Sequence, residues 1–330
     1  MNMSKFLIIR FSSIGDIVLT TPVVRCVKNQ INDSEVHFLT KKAFTPIVES
    51  NPHIDKVIAF DDNLDDVIRE LASENYDFII DLHNNLRSGL IKSRLKVNSA
   101  SFNKFNIRKW LLVNLKINRL PDIHIVDRYM MTVSKLGVDN DHEGLDYFLT
   151  EKDKSLPSEI IDEIPTTYIA IVIGAKHSTK RLPVKKLTEL CDSLDQEIIL
   201  LGGPEDRENG ELILQNLSSV KNYCGELTLG QSAFLISKAS LVISHDTGLM
   251  HIAAAFRKKI ISIWGNTVPE FGMYPYLPKD NDISQEFEVK GLKCRPCSKI
   301  GYDSCPKEHF KCMNEQDIDE IQKFANKLLN

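Results

Sequence analysis

Short apolar, β-branched runs alternate along the chain with segments of helical spacing. In the first half the runs at 5–10 (KFLIIR), 35–40 (EVHFLT), 56–60 (KVIAF) and 77–82 (DFIIDL) predict strands. Between them, 16–31, 42–49 and 64–73 repeat their apolar positions at helical intervals. The pattern blurs through a basic region and recovers as a helix at 127–136. A polar, acidic stretch covers 138–165, and alternation then restarts. Strands are expected at 167–175, 197–202, 241–246 and 260–264, and helices at 183–194, 205–217, 231–238 and 247–256. Strand–helix alternation implies parallel strands joined by crossover helices and buried on both faces. The expected fold is therefore α/β, with two consecutive doubly wound, Rossmann-like domains at 1–155 and 156–330. The second carries a cysteine-rich tail. Ligands of such sheets bind at the carboxyl ends of the strands, at the topological switch point. The loops that follow the strands are where chemistry is expected.

Composition narrows the class. The chain has 330 residues, 42% hydrophobic and 26% charged, with a net charge of −4. That excludes disorder as the dominant state and argues against a nucleic-acid partner for the chain as a whole. No run approaches the ~18 apolar residues of a membrane span. Arg10 and Asp16 interrupt the apolar start, so it reads as strand, loop and helix rather than a secretory signal. The expected setting is cytoplasmic, with seven cysteines in a reducing compartment. The global balance hides a local surplus. From Arg87 to Arg128, ten cations stand against Asp122 and Asp127, a net +8. Such a segment is either a solvated face or an attractor of anionic partners.

Two loops stand out. FSSIGD (11–16) follows the first strand and opens a helix. It has neither the three glycines of a dinucleotide fingerprint nor the Gly-Lys-Ser/Thr ending of a P-loop. Ser12 or Ser13 and Asp16 could cap that helix, or the Asp16 carboxylate could act as a general base. The second, SHDTGLMHIAAAF (244–256), places Asp246, Thr247 and Gly248 where a helix begins. Free N–H groups there, with no side chain at Gly248, make a cradle for a diphosphate. His251 falls one turn further on.

FSSIGDIVLTTPVVRCVK together with SHDTGLMHIAAAF resembles the bacterial heptosyltransferases, glycosyltransferase family nine, which build the lipopolysaccharide inner core. The resemblance extends to DLHNNLRSGLI (81–91), GAKHSTKRLP (174–183), LLGGPEDRE (200–208) and the cysteine-bearing tail. It implies GT-B architecture: two facing Rossmann-like domains with an interdomain cleft, the acceptor on the first domain and the nucleotide sugar on the second. It also implies an inverting, metal-independent enzyme moving heptose from ADP-heptose. The alternatives are a transferase of another nucleotide sugar and a non-catalytic nucleotide-sugar or glycan-binding protein. A nucleotide-dependent oxidoreductase is disfavoured by the missing glycine fingerprint.

By the same resemblance Asp16 is the base that deprotonates the acceptor hydroxyl, and Lys180 contacts the donor diphosphate. Leu182 stands where many members have tryptophan. Glu205 or Asp206 lies near the base or ribose, and Asp246, Thr247, Gly248, Leu249 and His251 form the rest of the donor site. Ser13, His83, Arg87 and Arg128 are expected at the acceptor, an anionic glycolipid of lipid A carrying a keto-sugar acid. Arginine suits its carboxylates and phosphates. The basic segment could also rest on the cytoplasmic leaflet of the inner membrane. No cofactor is expected for catalysis. Cys294, Cys297, Cys305 and Cys312, with His309 in reserve, either close a structural zinc site or remain free or disulfide-paired.

Overall fold

The computed structural model describes residues 4–61, 63–215 and 217–330. Packing divides the chain into two units, one reaching Lys104 and including Ile123–Phe148, the other formed by Phe105–Asp122 and Leu149–Asn330. The expected division was contiguous at 155. Here the first unit ends at Phe148, and 105–122 joins the second. Arg25 supplies a physical reason for the earlier boundary. Its buried guanidinium donates to both Asp141 oxygens at 2.8 Å, to Asp146 and to the Gly144 carbonyl, tying the acidic stretch to the first unit. Burial raises the Asp141 carboxyl, yet the hydrogen bonds and charge of Arg25 hold it down to about 2.

The first unit contains β1 (Ser4–Ile9), β2 (Ser34–Lys41), β3 (Lys56–Phe60), β4 (Phe78–Asp81) and β5 (Ser99–Ser101). All pair in parallel, in the order β3-β2-β1-β4-β5. Leu7, Ile8 and Ile9 of the central strand are fully buried. At about 1.5–3 kcal/mol per buried aliphatic side chain, this burial fixes where β1 ends. The strand order reverses between β1 and β4, so the loops after Ile9 and Asp81 border the switch point.

The second unit contains β6 (Ile169–Val172), β7 (Ile198–Leu201), β8 (Val220–Asn222), β9 (Leu241–His245), β10 (Ile260–Trp264) and β11 (Ser284–Glu288). They form a parallel sheet ordered β11-β10-β9-β6-β7-β8. Its switch point lies between β6 and β9, where Val172 pairs with Ser244. Gly174, just past β6, is required by close approach. A Cβ there would lie 2.1 Å from Asp206 Oδ2, and that carboxylate is held by the Gly203 N–H and by Arg181.

Several expected elements change form. The helix expected at 16–31 is broken into Ile14–Val18 and Thr21–Gln30, with Pro22 in the first turn of the second. Proline has no N–H to continue the first helix but suits the start of a new one. Residues 42–49 form only a 3-10 turn, Lys42–Ile47, containing Pro46. The helix expected at 127–136 is Ile125–Met130 followed by a 3-10 turn at Ser134–Leu136. Among the described residues no helix is long and apolar enough to cross a membrane.

Candidate active site

In the first unit the chain leaves β1 through Arg10, passes the cis Ser12–Ser13 peptide and enters the helix that carries Asp16. The Ser13 hydroxyl donates to Asp16 Oδ2 at 2.7 Å, and the Ser13 N–H reaches the same oxygen at 3.3 Å. Arg10 Nη2 pairs with the other oxygen, Oδ1, at 2.6 Å. The rest of the Arg10 guanidinium donates to the Ser12 carbonyl at 2.8 Å, the Leu82 carbonyl at 2.6 Å and the Tyr129 hydroxyl at 3.0 Å. Arg10 is thus a buried strut that fixes the Asp16 carboxylate in a charge-assisted geometry. Sequence reasoning treated it only as an interruption of an apolar run. A cation at the carboxyl end of a buried strand was the signal available.

The loop after β4 sits beside this cluster. Asp81 is fully buried. It accepts from the His83 and Asn84 N–H groups, from the Ser88 hydroxyl at 2.8 Å and from Lys92 at 2.8 Å. The His83 ring packs at a tilt against Phe11 with centroids 4.8 Å apart. Burial, then the charges of Arg10 and Lys104, push the His83 imidazole down to about 4. It is therefore neutral at physiological pH.

The expected acceptor residues separate in this geometry. Ser13 touches Asp16, and His83 adjoins Arg10. Arg87 is exposed with its guanidinium 5.9 Å from the Phe60 ring centre, while Arg128 is only 3% exposed. The cations of the basic segment have different fates. Lys92 is spent on Asp81, Arg128 is buried, and Arg108, Lys109, Lys116 and Arg119 belong to the second unit.

In the second unit Lys180 and Asp246, 66 residues apart, meet at the switch point with Nζ 2.5 Å from Oδ2. The Thr267 hydroxyl, past β10, donates to the same oxygen at 3.0 Å. Thr267 was not foreseen, because only the fold brings it to Asp246. Thr247 precedes the helix Gly248–Ala255; its side chain pairs with the Ser244 hydroxyl at 3.2 Å rather than capping the first turn. Thr247, Gly248 and Leu249 are partly exposed at that helix N-terminus, whereas His251 is buried at 2% exposure. Glu205 is exposed in the turn after β7, and its neighbour Asp206 is buried against Arg181 at 3.0 Å. Leu182 is buried, and its N–H donates to His245 Nε2 at 2.9 Å.

That histidine makes stability pH-dependent. Burial, with the nearby Arg181 charge, pushes His245 down to about 4. An unfolded histidine protonates near 6.5, so acid is taken up by the unfolded chain before the folded one. Stability is therefore highest above 6.5 and falls as pH drops towards 4. Urea unfolding should show about 2 kcal/mol lost between pH 7 and pH 5 through this residue. A His245→Gln variant should show a correspondingly flatter dependence. Equal slopes for the two proteins would contradict the assignment.

The tail braces the Lys180 loop. Thr179 N–H donates to the Tyr302 carbonyl at 3.1 Å, and Tyr302 N–H returns to the Thr179 hydroxyl at 2.8 Å. Arg295 donates to the carbonyls of Gly265 and Thr267 and so clamps the loop after β10. All four tail cysteines are free thiols, and Cys294 Sγ lies 3.8 Å from His309 Nε2. The four tail cysteines lie within electrostatic range of one another, Cys312 sensing Cys297, Cys305 and Cys294. Among the described residues the one group with three ligand atoms within 4.8 Å of each other is Glu35, His37 and Glu74. Those carboxylates are engaged by Lys5 and Lys56, whose hydrogen bonds hold Glu74 down to about 2.

A family model described as glycosyltransferase family 9 (heptosyltransferase) matches residues 65–301. A lipopolysaccharide heptosyltransferase 1 from Campylobacter coli is 27% identical over 292 residues, covering 80% of this chain and 84% of that protein. The structure of the glycosyl transferase family 9 protein from Veillonella parvula DSM 2008 aligns with a TM-score of 0.79 at 21% identity, covering 100% and 98% of the two chains. That of E. coli heptosyltransferase WaaC with ADP-2-deoxy-2-fluoro heptose aligns at 0.68 and 19% identity, covering 98% and 99%. The fold is the GT-B fold of these structures, as the sequence resemblance implied.

Proposed function

The chain belongs to glycosyltransferase family 9, the heptosyltransferases, and is a glycosyltransferase; from that premise we propose that it moves a heptose from ADP-heptose to a lipopolysaccharide inner-core acceptor, with inversion and without a metal. The observation that carries this reading is the partly exposed Asp16 carboxylate, fixed by Arg10 and Ser13 at a strand end. Asp16 takes the proton of the acceptor hydroxyl. The freed oxygen attacks the anomeric carbon, the bond from that carbon to the diphosphate oxygen breaks, and ADP leaves with the electron pair. Attack opposite the leaving group inverts the centre. Charge on the departing diphosphate is taken by Lys180 and by the amides at Thr247, Gly248 and Leu249, which favour anions at a helix start. Asp246 orients Lys180 and is placed to bind a sugar hydroxyl, with Glu205 on the nucleotide side.

Arg87 and Lys104 suit the anionic groups of a lipid A acceptor bearing a keto-sugar acid. Lys104 is half-buried, and burial followed by the Arg10 charge lowers its ammonium below the usual range. Such an acceptor places the enzyme at the cytoplasmic leaflet of the inner membrane. The domain roles follow: acceptor on the first unit, donor on the second.

The test is a panel of ADP-, UDP- and GDP-linked sugars with and without acceptor, read as nucleotide release. Acceptor-dependent ADP release from ADP-heptose, unchanged by a chelator, is the expected result. Turnover of a UDP-sugar alone, or loss of turnover in chelator, would overturn the donor or the metal-free part respectively. Binding without release of any nucleotide would favour the non-catalytic reading.

A further inference from the structure

The segment Phe105–Asp122 is the part of the second unit whose placement the sequence pattern did not anticipate. It forms a short helix, Asn106–Trp110, continued by one wide turn at Leu111–Leu115. One side is anchored. Leu112, Val113 and Leu120 pack against Val268 and Phe271. Lys116 Nζ donates to the carbonyls of Cys294 and Pro296 at 3.0 and 2.7 Å, and Lys299 Nζ donates to the Asn106 carbonyl at 3.3 Å.

The other side is apolar and open. Ile107, Trp110, Leu115 and Ile117 are 78%, 50%, 52% and 44% exposed. Among the described residues eleven large hydrophobic side chains are exposed, and four of them fall within these eleven positions. A concentration of that kind on a firmly anchored element marks an interaction surface rather than scattered exposure. Arg108, Lys109, Lys116 and Arg119 share the segment with one acid, Asp122, for a net +3. Lys116 is tied to the anchored side and Lys109 lies over the Phe271 ring, so headgroup contact falls to Arg108 and Arg119.

We infer that this segment is a membrane-docking element whose occupant is an anionic phospholipid surface. A tryptophan and aliphatic side chains interleaved with arginine match the two halves of a bilayer interface, acyl boundary and anionic headgroup. A second copy of this chain is the poorer occupant, because apposing two such segments would bring like charges together. The inference deepens the proposed setting at the leaflet, resting on it for why a bilayer is near, and names the element that makes the contact.

The protein carries its own reporter. It has two tryptophans, and Trp264 is 1% exposed with its indole N–H donated to Ser262. A change in emission on adding lipid therefore reads Trp110. The full chain, without donor or acceptor, should float with vesicles containing phosphatidylglycerol and not with pure phosphatidylcholine. Trp110 emission should shift to the blue and become shielded from acrylamide, and high salt should weaken binding. The double substitution Ile107→Ser, Leu115→Ser should lower partitioning by about tenfold or more, with an unchanged thermal midpoint and unchanged turnover of a delipidated acceptor. Absence of vesicle binding, or binding indifferent to that substitution, overturns the proposal. So does a lipid-free dimer that shields Trp110. Because no sugar chemistry enters the binding measurement, its failure leaves the transferase reading standing, and an inactive enzyme that still binds vesicles leaves this one standing.

Discussion

Asp16→Asn should lower the rate of sugar transfer by about 10²–10⁴-fold, the range expected when a positioned general base is removed, while ADP binding persists. Asparagine preserves the shape of the side chain and can still accept from the Ser13 hydroxyl. It cannot take a proton at neutral pH. The substitution also leaves Arg10 without its carboxylate. Removing one partner of a buried pair is costly, but Arg10 keeps three other acceptors, at Ser12, Leu82 and Tyr129. Asp16 itself is 21% exposed, so water can approach. A stability loss of about 1–2 kcal/mol is expected, small enough for the protein to remain folded. Stabilisation by ADP in a thermal melt should match the parent, because the residues proposed to hold the donor lie in the other unit. Parental turnover in this variant would show that the base lies elsewhere. Lost ADP binding would show that the substitution acts through the fold.

The strands legible in the sequence were those buried on both sides, together with the edge strand β3, whose KVIAF run is itself apolar. β1, β2, β4, β6, β7, β9 and β10 are sheet interiors, and their continuous apolar runs announce them. β5, β8 and β11 were missed, and all three are sheet edges. Ser99–Ser101, Val220–Asn222 and Ser284–Glu288 are short and polar because an edge strand has a neighbour on one side only. The site divides in a similar way. Asp16, Lys180 and Asp246 stood in motifs that could be recognised. Arg10 is held in place for Asp16 by Leu82 and Tyr129, 72 and 119 residues away, and Thr267 reaches Asp246 across 21 residues, links that no local pattern announces. Segment 105–122 was misassigned for a related reason. Its charge was visible, but its anchoring on Val268 and Phe271 is a tertiary fact.

Lys180→Met tests the donor half most sharply. Removing one charge that stabilises a developing anion costs about 10²–10³-fold in kcat where the group acts in the transition state, and donor affinity should fall as well. The complication is Asp246. In the free protein its carboxylate is 11% exposed and bound to Lys180, with the Thr267 hydroxyl as its other side-chain partner. Lys180→Met therefore strands a carboxylate, and some loss of stability is expected for that reason alone. The pair Lys180→Met, Asp246→Asn separates the two effects. Neutralising Asp246 removes the stranded charge, so the thermal midpoint should recover towards the parent. Transfer should not recover, because only the helix-terminal amides then oppose the charge on the leaving diphosphate. If stability and turnover rise together in the double variant, Lys180 merely holds the loop after β6 in place. A lysine that meets the diphosphate predicts the opposite, a restored fold around a site that still cannot release ADP.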